Sequence, residues 1–274
     1  MLAPISYNNQ PTFGVNLKSR KLALSQKDFF IKIKGYQKNT LWAEEIKRTT
    51  EEAVELIRRN WDPDWVLFNI TEGVKVANQY PQDQCLRAHT GVLRTPRAGW
   101  EYGSDWDGCN IITPYNNNKY KCYEKRLDRI AETPLMNPFY NIGLSTIRND
   151  KLEKVKEIRH PSPDFINNAF QHIDRIYGYI QTNFIKKEVK PENVQQVNDK
   201  IAELRWIMAH SMPWERGSDS ISNVFMRALY KAMGVKAYPP AKGVSFDLEA
   251  FCTNLDDYKR NFPNFFEKAP EVIE

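Results

Sequence analysis

The chain has 274 residues, 41% hydrophobic and 27% charged, which is the balance of a globular protein long enough to bury a sizeable core without staples. Its formal net charge of +5, from 39 basic and 34 acidic residues, is too small to imply nucleic-acid binding by itself. The longest apolar runs, such as "WVLF", extend only a few residues, so no membrane-crossing helix is expected and export through a cleaved apolar signal is not expected either.

Four cysteines, Cys85, Cys109, Cys122 and Cys252, form no CxxC pair. Scattered spacing suits neither a zinc knuckle nor a small disulfide framework. It points to reduced thiols in a cytoplasmic compartment, with a metal site from Cys109, Cys122 and His89 as the open alternative.

In chain order, residues 1–60 read as a basic segment and one helix packed on the remainder. "FFIKIKGY" alternates as a short strand does. "TLWAEEIKRTTEEAVELIRRN" carries Trp42, Ile46, Ala53, Leu56 and Ile57 on one helical stripe, with Thr40 as cap and Asn60 as exit. "WDPDW" breaks that helix. Residues 61–150 form a loop- and hairpin-rich elaboration. Within it, "DWVLFNITEGVKVANQY" could supply a strand and a short helix, Arg87, His89 and Gly91 would share one face if "CLRAHTG" were a strand, and "YEKRLDRIAETPL" is a short helix stopped by Pro134.

Three long helices then follow, at about 164–187, 192–210 and 219–233. The first is capped by Ser162 with Pro163 in its first position and has Phe165, Ala169, Ile173, Ile176, Ile180 and Phe184 on one face. The second repeats Val194, Val197, Ile201, Leu204 and Met208 three and four apart. The third places Ile221, Val224, Phe225, Ala228 and Leu229 inward and stops at Gly234. Each has an apolar face to hide, so the fold class is mainly α with these helices as its core. Residues 61–274 are preferred as one domain.

Between the second and third helices lies "HSMPWERGSDSIS". Pro213 ends one helix, Gly217 permits a tight turn or a ligand's close approach, and Ser218, Asp219 and Ser220 are all competent caps for the next. The opening amides of that helix have no acceptor within it and sit at the positive end of its dipole, a ready anion site. Arg216 adds a charge-assisted contact. His210 and Glu215 flank the place as acid or base. Asp219 would repel a phosphate unless a metal such as magnesium bridged the two. Ordinary punctuation of a helical hairpin accounts for the same residues.

The order of elements resembles Fic-type proteins, in which a Gly-x-x-Arg hairpin precedes intervening helices, a His-Pro-Phe loop and a Gly-Asn-Gly-Arg turn that holds nucleotide phosphates. Here "HTGVLRTPRAGW" has Gly91 and Arg94 at the matching spacing, Pro213 and Trp214 match Pro-Phe, and Gly217 matches the first loop glycine. The family's catalytic histidine falls on Met212, with His210 two residues earlier. Ser218, Asp219 and Ser220 replace the asparagine, the second glycine and the arginine. The resemblance covers roughly residues 89 to 240 and is nearest to the divergent branch of avirulence protein B effectors, similar in fold but lacking the histidine motif.

That resemblance implies a transferase that binds a nucleotide or nucleotide-sugar and modifies a protein hydroxyl. Arg94, Arg216, Gly217, Ser218 and Ser220 would hold phosphate, Asp219 a metal, and His210 or Glu215 would assist transfer. It also implies an effector that acts in a host cell without a cleavable signal. The rival is a non-catalytic helical interaction protein, since seven tryptophans and thirteen tyrosines would serve a partner surface. A second cluster, Arg87, His89, Arg94 and Arg97, suits phosphate, while Glu101, Asp105 and Asp107 beside tryptophans suit a sugar or base. A solvated hairpin or an acidic turn explains these equally well.

Overall fold

The helix at Val194–Ser211 lies at the centre of the molecule. Val197, Ile201, Leu204, Ile207 and Met208 are fully buried, and from Ile201 to the C-terminus almost every side chain is covered. A helix covered on most sides, with buried polar residues such as Asn198, Arg205 and His210 among its apolar ones, is a core helix, and its neighbours enclose it. The computed structural model describes residues 21–34, 38–81, 84–94, 111–114, 118–130, 146–149, 156–160 and 163–273.

In chain order the longer elements are α1 (Thr40–Arg58), α2 (Pro63–Ala77), α3 (Gln84–His89), β1 (Ile111–Pro114), α4 (Asn118–Ile130), β2 (Thr146–Asn149), β3 (Lys156–His160) and α5 (Pro163–Ile180). After them come α6 (Val194–Ser211), α7 (Ser218–Ala232), β4 (Val235–Lys236), α8 (Phe246–Phe251), α9 (Leu255–Asn261) and β5 (Glu271–Val272). The protein is mainly helical, and the three long helices read from periodicity are α5, α6 and α7. Helix α5 runs on through a π-helical turn, Gln181–Ile185, closed by the Lys186 amide on the Gln181 carbonyl.

Helix α7 stands between α6 and α1. Ile221, Val224, Phe225, Ala228 and Leu229 are buried with Ile46, Ala53, Val54 and Ile57 of α1 in one cluster. A fully buried side chain of this size contributes about 1.5–3 kcal/mol. Truncating Leu204 to alanine at the centre would therefore cost about 2–5 kcal/mol once the cavity is counted. The helix ends where Gly234 takes a φ of 76°, as its place after the last apolar residue predicts.

Several local expectations are corrected. Residues 63–77 form one helix rather than a strand and a short helix. Asp62 and Pro63 supply a start signal, and Val66, Ile70, Val74 and Ala77 repeat at helical spacing, which outweighs the β-branched composition. Residues 84–89 are helical, so Arg87 and His89 lie on α3 and not on a strand. Asn39, not Thr40, caps α1, its side chain accepting from the Trp42 amide at 2.9 Å. "FFIKI" forms no strand; its first residue, Phe29, ends a 3₁₀ turn at Gln26–Phe29. The expectations for Ser162, Pro134 and Phe165, and the hairpin reading of residues 95–110, fall outside the described residues and side chains.

The strands are short. β3 is central, paired antiparallel with β1 on one side and β2 on the other. Its last residue, His160, is buried. At the C-terminal end, Phe246, Tyr258, Phe262, Phe265 and Phe266 stack edge-on and tilted around one another at centroid distances of 5.1 to 6.3 Å. They close the core beneath α6.

Candidate functional site

The loop joining α6 to α7 is held by the segment that follows α3. The Arg94 amide donates to the Pro213 carbonyl at 2.8 Å and the Glu215 amide to the Val92 carbonyl at 2.8 Å. The Arg216 amide donates to His89 and the Gly91 amide to Arg216, each at 3.2 Å. Four backbone hydrogen bonds thus lace residues 89–94 onto residues 213–216. Gly91 and Gly217 both adopt positive φ, 72° and 87°, the conformation these tight approaches require.

Arg94 is buried and acts as a staple. Its Nε donates to the Met212 carbonyl at 2.8 Å and its Nη2 to the Glu215 carbonyl at 3.2 Å. Met212 is left-handed at φ 36°, an uncommon state for a side chain of its kind. Ser218 is buried too. Its hydroxyl donates to the Trp214 carbonyl at 2.9 Å and accepts from the Trp214 amide at 3.2 Å.

Glu215 meets His89 at 2.7 Å, Oε2 to Nδ1. The carboxylate side chain is 4% exposed and the imidazole 32%, so the ring is the accessible member of the pair. Arg216 stands beside them, half-buried, with a bond to the Glu215 carbonyl. His160 completes the polar group from β3. Burial first, and then the charges of Arg94 and Arg216, hold its imidazole well below the usual histidine range, so it is neutral at pH 7.

His210 has different surroundings. It is buried between Trp206 and Phe251, at centroid distances of 4.2 and 5.0 Å, and its Nε2 donates to the Ala250 carbonyl at 3.1 Å. The structure therefore brings Glu215, Arg216 and Arg94 together with His89 and sets His210 in the core.

Asp219 does not cap its own helix. Its carboxylate takes a hydrogen bond from Nη2 of Arg205 at 2.9 Å. Arg205 is 1% exposed and lies over the Phe246 ring at 5.5 Å. Its Nε and Nη1 have no hydrogen-bond partner among the described residues, while Asp219 pairs its charge. Asp219 and Ser220 also line a cavity of about 210 Å³ whose other walls include Phe29, Phe30, Trp42 and Pro81. The Trp42 indole is fixed by a hydrogen bond to Asn78 at 2.8 Å, and Asn78 in turn bonds Thr90 at 2.9 Å. The aromatic wall and the loop-bracing segment are therefore linked.

The profile of the avirulence-protein family AvrB/AvrC matches residues 135–269. Over that stretch the chain is similar to avirulence proteins. No curated protein matches the sequence. The matched residues include α5 to α9 and the 212–217 loop, whereas His89, Arg94, Phe29 and Trp42 lie upstream of them. The groups that brace and flank the loop from upstream thus lie outside the matched stretch.

Among the described residues no group of three or more His, Cys, Asp or Glu side chains is placed to hold a metal. Cys122 is exposed and Cys252 buried. Cys109, Arg97, Glu101, Asp105 and Asp107, and the side chain of Cys85, lie outside the described residues. No described helix is long and apolar enough to cross a membrane. Sequence reasoning missed His160, Arg205 and the Phe29–Phe30–Trp42 wall. It met His89 only as part of an arginine cluster, although the Gly91–Arg94 spacing pointed to that segment.

Proposed function

We propose that this protein is an effector-type transferase that takes a nucleotide or nucleotide-sugar at the opening of α7 and passes a group to a hydroxyl of a host protein. The observation that carries the reading is the aromatic-walled cavity on the first turn of a long helix, with an imidazole–carboxylate pair whose Glu215 stands four residues before Asp219 in the chain. A cavity of about 210 Å³ lies below the roughly 300–1,000 Å³ of drug-sized ligand sites, so it takes one ring system. The base or sugar stacks there against Phe29, Phe30 and Trp42, and the phosphates lie outward along the amides of α7, the positive end of its dipole. Arg216 supplies a planar cation for them.

His89 acts as general base and Glu215 orients it, as a buried carboxylate orients a more exposed imidazole. The acceptor's O–H proton passes to the imidazole as its oxygen bonds to the transferred group. The donor's bond to a phosphate oxygen breaks, and the negative charge that develops on that oxygen is met by Arg216 and the helix amides. Arg94 and Ser218 position the loop. Asp219, tied to Arg205, is the residue that would hold a magnesium ion beside the phosphates.

Thermal-shift measurements with ATP, ADP and UDP- or CDP-linked sugars, with and without magnesium, test this. A ligand at about 100 times its Kd stabilises by about 2.7 kcal/mol, worth roughly 5–10 °C in a chain of this size. Arg216→Ala and Trp42→Ala are expected to abolish the shift while far-UV circular dichroism stays unchanged. An undiminished shift in both variants, or none with any donor, overturns the proposal.

A further inference from the structure

A second cavity, of about 520 Å³, lies at the start of α2, where "WDPDW" meets the π-helical turn that ends α5. Along α2 it is ten residues, about 15 Å, from Val74, which packs beside Gly217. It is therefore separate from the nucleotide reading and borrows nothing from it. Trp61, Trp65 and Phe68 are 45%, 57% and 57% exposed, an unusual display of large aromatics. They form an edge-to-face ladder with centroids 6.4 and 5.9 Å apart.

Among its charged lining residues carboxylates outnumber cations. Asp62, Asp64 and Asp174 face the cavity, with Lys186 as its cation, leaving an excess of negative charge. Tyr177 spends its hydroxyl proton on the Trp61 carbonyl at 2.8 Å. Gln181 spends its amide hydrogens on the Ile57 carbonyl at 2.9 Å and on the Tyr177 hydroxyl at 2.8 Å. The carbonyl oxygen of Gln181, a residue only 4% exposed, has no hydrogen-bond partner among the described residues. Gln181 lines the cavity, and the carboxylates beside it are the acceptors that a donor-rich ligand would meet. Burial, and then Asp64 and Asp62, raise the carboxyl of Asp174 above its usual range, the mutual repulsion that a bound cation relieves.

The ligand must therefore be cationic, rich in donors and flat enough to stack on indole. A metal ion does not fit, since no described cluster of three ligating side chains exists. An ammonium is compact, strongly hydrated and offers three donors. A guanidinium offers five in a plane and stacks on aromatic faces. We propose that this groove docks an arginine side chain of a protein partner. The ladder continues past the cavity to Phe68, one turn further along α2, which gives residues flanking that arginine an apolar shelf. Aromatic shelves beside desolvated arginines are where interface energy concentrates.

Calorimetric titration of the full chain with a capped peptide carrying one arginine between two leucines tests the proposal. Parallel titrations use the citrulline peptide, the lysine peptide and free argininamide. The arginine peptide is expected to bind at least about tenfold more tightly than each of the others. Asp62→Asn/Asp64→Asn and Trp65→Ala are expected to weaken it by a similar factor. These side chains are exposed, so the variants keep the wild-type circular dichroism. Equal binding of the citrulline peptide, undiminished binding by both variants, or no saturable binding at millimolar peptide overturns the assignment. Argininamide binding as tightly as the peptide overturns the protein partner as its source.

Discussion

Replacing Arg94 by alanine removes the staple that fixes the α6–α7 loop. Two charge-assisted hydrogen bonds, to the carbonyls of Met212 and Glu215, contribute about 1.5–3 kcal/mol each. The freed carbonyls reach water once the loop opens, so the net loss is roughly 2–4 kcal/mol, confined to the loop because the helices keep their own apolar contacts. Amide hydrogen exchange resolves this. Exchange of the Glu215 and Arg94 amides, bonded to Val92 and Pro213, should accelerate about 30-fold at 2 kcal/mol and several hundred-fold at 4 kcal/mol, given a factor of ten per 1.4 kcal/mol. Amides in the middle of α6 should not change. Arg94→Lys should rescue little, because an ammonium lacks the fork that reaches both carbonyls. Unchanged protection at Glu215 in Arg94→Ala, or uniform acceleration along α6, would refute the reasoning.

Asp219→Ala strands the buried charge of Arg205 and should cost about 3 kcal/mol in urea unfolding. Adding Arg205→Met should recover most of that; a double variant no more stable than the single one counts against the pair. Gly73→Ala puts a methyl 2.1 Å from the Thr49 hydroxyl and should destabilise by about 1–3 kcal/mol. Gly178→Ala meets nothing within 4 Å and should stabilise by about 0.5–1 kcal/mol; midpoints that move the same way would contradict this packing. His160 binds its proton less readily folded than unfolded, since its folded value lies well below 6.5. The unfolded chain then holds more protons below that pH, and stability falls as the solution is acidified, by up to about 1.4 kcal/mol per pH unit. His160→Gln should flatten the stability curve between pH 6.5 and 5, and an unchanged slope would show that the histidine is protonated in the fold.

Helices α5, α6 and α7 were legible because their apolar residues keep a 3.6-residue period and their ends carry Pro213, Gly217 and Gly234. Helix α2 was misread because its Val and Ile content suits strands, although Asp62 and Pro63 marked its start. The C-terminal aromatic cluster announced itself only as "FPNFF", too short for any period. The site was less legible for a topological reason. His89 and Glu215 are 126 residues apart, and the cavity wall gathers residues from a 3₁₀ turn and from α1 and α7. Local spacing carries no record of such meetings; the fold alone brings them about.

The two histidines show what composition by itself leaves open. His210 stands nearest the motif in sequence, yet α6 turns it inward, because its position falls on a helix face already committed to Trp206 and Phe251. Met212, at the place where Fic-type proteins carry their base, packs against the small cluster around Leu127, Leu248 and Phe251 and is lost to chemistry. The imidazole of the proposed reaction must then come from outside the loop, and the 89–94 segment is what the structure sets against it. Because the bonds that brace the loop also deliver His89, loop shape and base position depend on each other. Loosening Arg94 should therefore impair transfer even though Arg94 touches no substrate, and donor binding in the aromatic cavity should be affected less than turnover.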